Sequence, residues 1–227
     1  MKLSKRLLSV VKMIVNLKEV KIVADVGSDH GFLPTYLIKN GLCKKAYATE
    51  IAQGPLTACI QTIQQFDLED IITPLLGNGL EPLLKINNHY DVITICGMGG
   101  NLIADILNKQ IKELSFSYLI LQPNTNEDYL RNYLFNNGFE IVDEIIVFDA
   151  KHRYEIIMAK FGEQIILDQE QDELFGPILR RDKNQIFLNK WQKELNICYK
   201  ILDSLPENHP KSLEISKRIT LIKGVLS

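Results

Sequence analysis

A glycine-rich turn near the start of the chain contains most of the residues that could do chemistry. The β-rich run Ile22–Val26 leads into Gly27-Ser28-Asp29-His30-Gly31, and a helical segment with Pro34 in its first turn follows at once. Glycines allow the backbone to approach a ligand closely, and the start of a helix supplies free N–H groups. Glu50 ends the next β-rich run, where a carboxylate can accept hydrogen bonds from ribose hydroxyls. The turn and the acid together predict a site for a cofactor that contains a nucleoside.

The spacing of the glycines indicates which cofactor this is. A nicotinamide dinucleotide site requires Gly-x-Gly-x-x-Gly, whereas here Asp25 is followed at alternate positions by Gly27, Asp29 and Gly31. The pattern is similar to the first motif of the class I S-adenosylmethionine methyltransferases, with Asp29 in place of the middle glycine. This likeness favours S-adenosylmethionine and argues against a nicotinamide oxidoreductase.

Two further strand ends carry small residues that suit the same site. The third β-rich run ends in Gly77-Asn78-Gly79, positioned for an adenine ring. The fourth ends in Gly97-Met98-Gly99-Gly100, which would line the floor of a pocket. Because the ligands of parallel sheets bind outside the carboxyl ends of the strands, we expect four consecutive strand ends to converge on one site.

Strands and helices alternate through the first 137 residues, which predicts a mainly parallel sheet with right-handed crossovers. Two long β-rich runs, 139–148 and 153–161, follow with only four residues between them, as expected of a β-hairpin. The predicted fold class is therefore α/β, with a Rossmann-like sheet of seven strands. The parallel strands are expected at Ile22–Val26, Ala46–Glu50, Ile71–Leu76, Val92–Cys96 and Tyr118–Gln122, and the helices at Phe32–Asn40, Pro55–Phe66, Ile103–Leu114 and Glu127–Asn137.

Helical segments are predicted at both ends of the chain. Apolar residues from Leu3 to Leu17 recur at spacings of three and four, which indicates an amphipathic helix. The same spacing runs from Leu188 to Leu205 and, after a proline-containing break, from Ile215 to Leu226. We therefore expect a methyltransferase domain over residues 1–167 and an antiparallel coiled-coil hairpin over residues 168–227. The heptad seam suits either an intramolecular hairpin or a dimer, and a monomer is the preferred interpretation.

Composition is that of an ordinary globular protein, with 46% hydrophobic and 24% charged residues among 227. The four cysteines lack the spacing of a zinc site or of a secreted disulfide framework, which predicts reduced thiols and no metal site. No apolar run approaches the ~18 residues of a membrane span. The predicted location is the cytoplasm.

Several short motifs, spread along the whole chain, carry a more specific likeness. They are Ser4-Lys5-Arg6-Leu7, Ala24-Asp25-Val26-Gly27-Ser28-Asp29-His30 with Leu33-Pro34, Gly97-Met98-Gly99-Gly100 and Leu121-Gln122-Pro123-Asn124. With these motifs the chain resembles the bacterial tRNA (adenine-22-N1)-methyltransferase family, which joins a seven-stranded methyltransferase domain to a C-terminal coiled-coil hairpin. Asn78 departs from the family pattern, where Asp is common, although its amide oxygen can still accept a hydrogen bond from the adenine amino group.

The resemblance implies methyl transfer from S-adenosylmethionine to N1 of an adenine in tRNA. That nitrogen has an in-plane lone pair, so the reaction needs alignment more than deprotonation. An Asn/Asp-Pro-Pro-aromatic loop, typical of enzymes that methylate the exocyclic amino group, does not follow the fourth strand. The implied catalytic residues are Asp29, His30 and Asn124, and the implied cofactor-binding residues are Asp25, Gly27, Ser28, Asp29, His30, Gly31, Glu50, Ile51, Gly77, Asn78, Gly79, Gly97, Met98, Gly99 and Gly100.

Each candidate side chain also has a structural interpretation. Asp29 could stabilise the positive charge that develops on the methylated base, or it could cap the following helix. His30 could hold a proton or could be structural. Asn124 could bond a base edge or cap the next helix, and Phe32 could stack on an extruded base or belong to the core.

A basic segment opens the chain, with six Lys or Arg and one acid in the first 21 residues. Taken alone, in a chain with a net charge of −2, this segment favours a merely solvated helix face, whereas the family resemblance implies that it contacts tRNA phosphates. The proposed phosphate-binding residues are Lys2, Lys5, Arg6 and Lys12, with Arg180 and Arg181 from the C-terminal segment.

Two other functions remain compatible with the residues. One is a methyltransferase that acts on another RNA base or on a small molecule. The other is a non-catalytic tRNA-binding module that retains the cofactor fold.

Overall fold

A seven-stranded sheet forms the centre of the first part of the chain, with strand order β3-β2-β1-β4-β5-β7-β6. The computed structural model describes residues 1–86, 88–206 and 209–227. The strands are β1 (Ile22–Val26), β2 (Lys45–Glu50), β3 (Ile72–Leu76), β4 (His89–Met98), β5 (Ser115–Pro123), β6 (Phe139–Asp149) and β7 (His152–Phe161). The helices are α1 (Lys5–Val15), α2 (Phe32–Lys39), α3 (Gln53–Gln65), α4 (Glu81–Leu84), α5 (Gly100–Gln110), α6 (Glu127–Asn136), α7 (Gln169–Phe175), α8 (Leu179–Asp182), α9 (Gln185–Ser204) and α10 (Lys211–Leu226).

The strands of the sheet run in the relative directions that the sequence predicts. Strands β1 to β5 are parallel, and β7 pairs antiparallel with both β5 and β6. The strand order reverses between β1 and β4, which are neighbours in the centre of the sheet. Such a reversal leaves a crevice outside the carboxyl ends of the strands, where ligands of open α/β sheets bind. The predicted Rossmann-like fold is confirmed.

The N-terminal helix α1 forms because one of its faces is apolar. Val10, Met13 and Ile14 are buried, and they join the core cluster that includes residues of β1, β5 and β7. Ser4 caps the helix by accepting a hydrogen bond from the Leu7 N–H group at 3.2 Å. The burial of this face holds α1 against the β6–β7 hairpin and α2.

Strands β4 and β5 are longer than the sequence indicates. His89 pairs with Ser115 and Met98 pairs with Pro123, so both strands extend beyond the expected bounds at each end. The chain also forms a bulge between Cys96 and Met98, where Gly97 has a φ of +82°. Helix α5 starts at Gly100, earlier than predicted, and a short 3₁₀ turn at Ile111–Glu113 follows it.

The chain divides into two compact units, Met1–Ile165 and Ile166–Ser227. In the second unit, α7 and α8 precede the two long helices, whereas the sequence pattern predicts one hairpin over the whole segment. Helices α9 and α10 pack on each other, and an ion pair between Arg218 Nη2 and Glu194 Oε1, 3.1 Å apart, connects them. Trp191 of α9 is buried. The coiled-coil geometry of this pair stays a prediction. None of the helices in the described part of the chain is long and apolar enough to cross a membrane.

Candidate active site

A cavity of about 360 Å³ opens at the carboxyl ends of the central strands, a size typical of small-molecule sites. The crossover turn after β1 and the ends of β2 and β4 form most of its wall, and α1, α2 and α3 supply the rest. The lining residues are Arg6, Leu7, Asp25, Gly27, Ser28, Asp29, His30, Phe32, Leu33, Glu50, Pro55, Cys96, Gly97 and Met98.

Asp25, near the end of β1, stabilises the conformation of the turn that follows this strand. Its buried carboxylate accepts hydrogen bonds from Ser28 Oγ at 2.7 Å and from Thr94 Oγ1 at 2.6 Å. Burial raises the pKa of Asp25, while the two hydroxyl donors and the charge of Arg6 act in the opposite direction. Gly27 has a φ of +69°, and a Cβ at this position would overlap the Met98 methyl group. The turn is therefore held in one conformation against the end of β4.

Asp29 and Glu50 meet across the carboxyl ends of β1 and β2. The Asp29 N–H group donates to Glu50 Oε1, and Asp29 itself has a left-handed backbone with a φ of +53°. Burial is the main cause that raises the pKa of Glu50, with smaller contributions from the charges of Asp29 and Asp25, whereas the Asp29 N–H group and His30 lower it. A buried acceptor at this point suits the hydroxyls of a ribose ring.

The Asp29 side chain faces the rim of the cavity and is 78% exposed. His30 Nε2 lies 3.8 Å from its carboxylate, and the His30 ring stacks on Phe32. The cap residue of α2 is Gly31, and no side chain caps this helix. The interpretation of Asp29 as a helix cap is therefore wrong.

Asn124 is positioned by the end of β4 rather than by the helix that follows it. Its Nδ2 donates to the Gly97 carbonyl at 2.7 Å, and its Oδ1 accepts from Gln122 Nε2 at 3.1 Å. Gln122 is buried, and its Oε1 accepts from the Gly97 N–H group at 3.1 Å. Since the cap of α6 is Asn126, the alternative that Asn124 caps this helix is wrong.

The position of Arg6 differs from the prediction, in which this residue belongs to a phosphate-binding face. Its guanidinium lines the cavity, donates to Gln122 Oε1 and lies 5.5 Å from the centre of the Tyr154 ring. Its backbone N–H donates to Asp149 Oδ2 at 3.0 Å. Lys2, Lys5 and Lys12 are exposed, as predicted. Sequence reasoning thus missed a cavity residue that is next to Lys5 in the chain.

Several predicted cofactor residues do not line the cavity. Ile51 is 67% exposed, and the turn Gly77–Gly79 follows β3 outside the lining set. Gly31 and Gly100 have packing roles. A Cβ on Gly31 would lie 2.7 Å from Cys59 Sγ, and one on Gly100 would overlap the Asn126 carbonyl oxygen. Gly99 is likewise outside the lining set.

The two C-terminal arginines are engaged within their own unit. Arg180 Nε pairs with Asp172 at 2.5 Å, and Arg181 Nε donates to the Pro177 carbonyl. The Arg180 side chain is mostly buried, so its prediction as an open phosphate contact is wrong, whereas Arg181 is exposed. Within residues 1–86, 88–206 and 209–227 there is no group of three or more His, Cys, Asp or Glu side chains that could hold a metal ion.

This strand order, the glycine-rich turn after β1 and the acid at the end of β2 define a Rossmann-like methyltransferase of the S-adenosylmethionine-dependent class. The family model described as tRNA (adenine(22)-N(1))-methyltransferase matches residues 23–224. The chain belongs to this family, which confirms the resemblance found in the sequence.

Individual relatives agree with the family assignment. The tRNA (adenine(22)-N(1))-methyltransferase of Bacillus subtilis is 34% identical over 237 residues, which cover 100% of this chain and 98% of that protein. The Streptococcus pneumoniae protein Sp1610, solved in complex with S-adenosyl-L-methionine, is 36% identical with a TM-score of 0.89, and the match covers 100% of both chains. M. capricolum TrmK, solved with S-adenosyl-homocysteine, is 31% identical with a TM-score of 0.88, and the match covers 100% of this chain and 98% of that one.

Proposed function

We propose that this protein transfers the methyl group of S-adenosylmethionine to N1 of adenine 22 in tRNA. One observation carries the proposal: in a chain of this family, the cavity brings the turn after β1, the acid of β2 and the end of β4 together. The proposed catalytic residues are Asp29, His30 and Asn124.

The residues around the cavity fit the cofactor. Glu50 is a buried carboxylate able to accept from the ribose hydroxyls, and its position is fixed by the Asp29 N–H group. Gly27 and Met98 both line the cavity, and the Met98 methyl group packs against Gly27 where any other residue would carry its Cβ. When bound, S-adenosylmethionine supplies a methyl group on a positively charged sulfur, which suits a cavity lined by Asp25, Asp29 and Glu50.

The site needs to orient the base rather than to deprotonate it. N1 of neutral adenine carries a lone pair in the ring plane, and alignment of two reactants can contribute about 7–11 kcal/mol to the rate. The charge on the base becomes positive as the methyl group arrives. Asp29, with its carboxylate at the rim, is placed to stabilise that charge, while the Asn124 amide, held by Gly97 and Gln122, is available to a base edge.

The exposed lysines of the N-terminal segment form the proposed tRNA contact. Lys2, Lys5 and Lys12 are exposed, and each can contact a phosphate. We assign methyl transfer to residues 1–167 and a separate helical module to residues 168–227. The proposed location of the reaction is the cytoplasm, because the proposed substrate is a tRNA.

The test is incubation of the purified protein with labelled S-adenosylmethionine and unmodified tRNAs that carry or lack adenine at position 22. Nucleoside analysis should find N1-methyladenosine only when that adenine is present. The Asp29→Ala variant should stay folded and bind S-adenosylhomocysteine but lose turnover, and a wild-type rate would remove Asp29 from the mechanism. Cofactor binding without methyl incorporation into any RNA would favour the non-catalytic tRNA-binding module instead.

A further inference from the structure

Phe32 lies at the cavity with a large part of its ring open to solvent. It begins α2, lines the cavity and is 42% exposed, although it is among the most apolar residues of the chain. Its ring lies nearly parallel to the His30 ring, with centroids 5.1 Å apart and an angle of 17° between the planes. The two rings form a stacked aromatic pair at the rim, beside the Asp29 carboxylate.

The burial of α2 does not depend on this ring. The buried residues of this helix are Leu33, Pro34, Thr35 and Leu37. Two of them, Leu33 and Leu37, belong to the hydrophobic core cluster that α1 also joins. The alternative that Phe32 serves the core is therefore wrong. An aromatic side chain that the core does not use, and that faces a ligand cavity, is available to a planar ligand.

We propose that the His30–Phe32 stack is the surface on which the target adenine lies while it is methylated. This inference rests on the proposed function and adds a residue, Phe32, to the substrate site. N1 lies on the Watson–Crick edge, so the base must leave its stack and any pairing partner before it can react. An aromatic side chain replaces the lost stacking, and alanine substitution of such side chains changes affinity by about 5- to 150-fold per base.

The charge change of the reaction makes the stack useful for catalysis as well as for binding. Methylation at N1 turns a neutral ring into a cation, and cations are attracted to the face of an aromatic ring. The contact with Phe32 therefore strengthens as the transition state forms, which lowers the barrier. The nearby Asp29 carboxylate acts in the same direction. Replacing Phe32 should consequently lower kcat as well as raise KM for tRNA.

The experiment is a thermodynamic cycle that compares the affinities of two proteins for two tRNAs. Wild type and Phe32→Leu, each saturated with S-adenosylhomocysteine, are titrated with tRNA that carries either adenine or an abasic site at position 22. Wild type should bind the adenine tRNA about tenfold more tightly, and Phe32→Leu should reduce this preference to about twofold. Phe148→Leu is the matched control, because Phe148 is 45% exposed and lies outside the lining of the cavity. It should keep the tenfold preference.

Two further measurements separate stacking from a structural role. Phe32→Leu should bind S-adenosylhomocysteine as wild type does, and Phe32→Tyr, which keeps the aromatic face, should restore most of kcat/KM. An unchanged adenine preference in Phe32→Leu would overturn the proposal. A fall in cofactor affinity that accounts for the whole loss of activity would overturn it too. If wild type forms N1-methyladenosine but Phe32→Leu keeps its preference, only the stack is refuted, whereas a wild type that methylates no tRNA refutes the proposed function.

Discussion

Replacement of Glu50 by Gln should weaken cofactor binding without weakening the fold. Glu50 is buried at the end of β2, where its Oε1 accepts from the Asp29 N–H group. Glutamine has nearly the same size and keeps one acceptor oxygen, but it loses the negative charge. A hydrogen bond to a charged group contributes about 1.5–3 kcal/mol, against about 0.5–1.5 kcal/mol for a neutral one. For two ribose hydroxyls the loss is about 2–3 kcal/mol, or about 30- to 150-fold in Kd.

The stability of the unliganded protein should change in the other direction. Burial raises the pKa of Glu50 above its ordinary value, so the charged form costs stability in the folded protein at neutral pH. That cost disappears as the pH falls through the raised pKa, and a glutamine removes it at every pH. Unliganded Glu50→Gln should therefore be at least as stable as wild type at pH 7. Its stability should also lose the part of the pH dependence that belongs to Glu50.

The assay is calorimetric titration with S-adenosylhomocysteine, combined with thermal unfolding between about pH 5 and pH 8. Wild-type affinity should fall as the pH drops through the raised pKa of Glu50, and the variant should lack this fall. Glu81→Gln is the control, because Glu81 is a partly exposed acid of α4 that pairs with Lys85 at 3.2 Å. Wild-type affinity in Glu50→Gln would refute a contact between this carboxylate and the ribose. A lower stability of the unliganded variant would refute the argument from burial.

Three other changes test separate parts of the structure. Arg131→Met removes the guanidinium that lies 2.8 Å and 2.5 Å from the buried carboxylates of Glu144 and Glu155, and urea unfolding at pH 7 should show a loss of about 3–5 kcal/mol. Gly27→Ala puts a Cβ into the Met98 methyl group at a φ of +69°, and calorimetry should find S-adenosylhomocysteine affinity at least about tenfold lower. Reversal of charge in a Lys5→Glu, Lys12→Glu double variant should weaken tRNA binding and make the slope of log K against log salt shallower by about one to two, with cofactor affinity unchanged. An unchanged slope would mean that α1 has no phosphate contacts.

Most of the sheet could be predicted because local pattern and tertiary structure agree there. The buried run Ile22–Val26 is a strand with the predicted bounds, since apolar β-branched residues pack well in a sheet covered on both faces. The ends of β4 could not be predicted in the same way. His89 and Met98 lie outside the β-rich run of the sequence, and they become strand because they pair with Ser115 and Pro123 of β5. Helices α7 and α8 are too short to give a periodic signal.

The residues that line the centre of the cavity could be predicted from the sequence, whereas those at its edges were harder to predict. Asp25, Gly27 and Glu50 line it because parallel strands end on the same side of the sheet. Gly100 lies outside the lining, and the sequence does not indicate this because a glycine that admits a ligand and a glycine that admits a neighbouring carbonyl have the same letter. Only the fold distinguishes them, here by the approach of the Asn126 carbonyl.

The position of Arg6 follows from the geometry of the helix and not from the pattern of charges in the sequence. At 3.6 residues per turn, Arg6 lies about 40° around α1 from the buried Val10, whereas Lys5 and Lys12 lie more than about 120° from it. Arg6 therefore borders the apolar face and reaches Gln122, while its neighbour Lys5 is exposed. The Gln122 amide that accepts from Arg6 also donates to Asn124. If tRNA phosphates bind Lys5 and Lys12 as proposed, the helix that holds the RNA is the same helix whose arginine orients the amides beside the methylated base. Docking of tRNA on α1 and alignment of the base are then mechanically linked through one turn of helix.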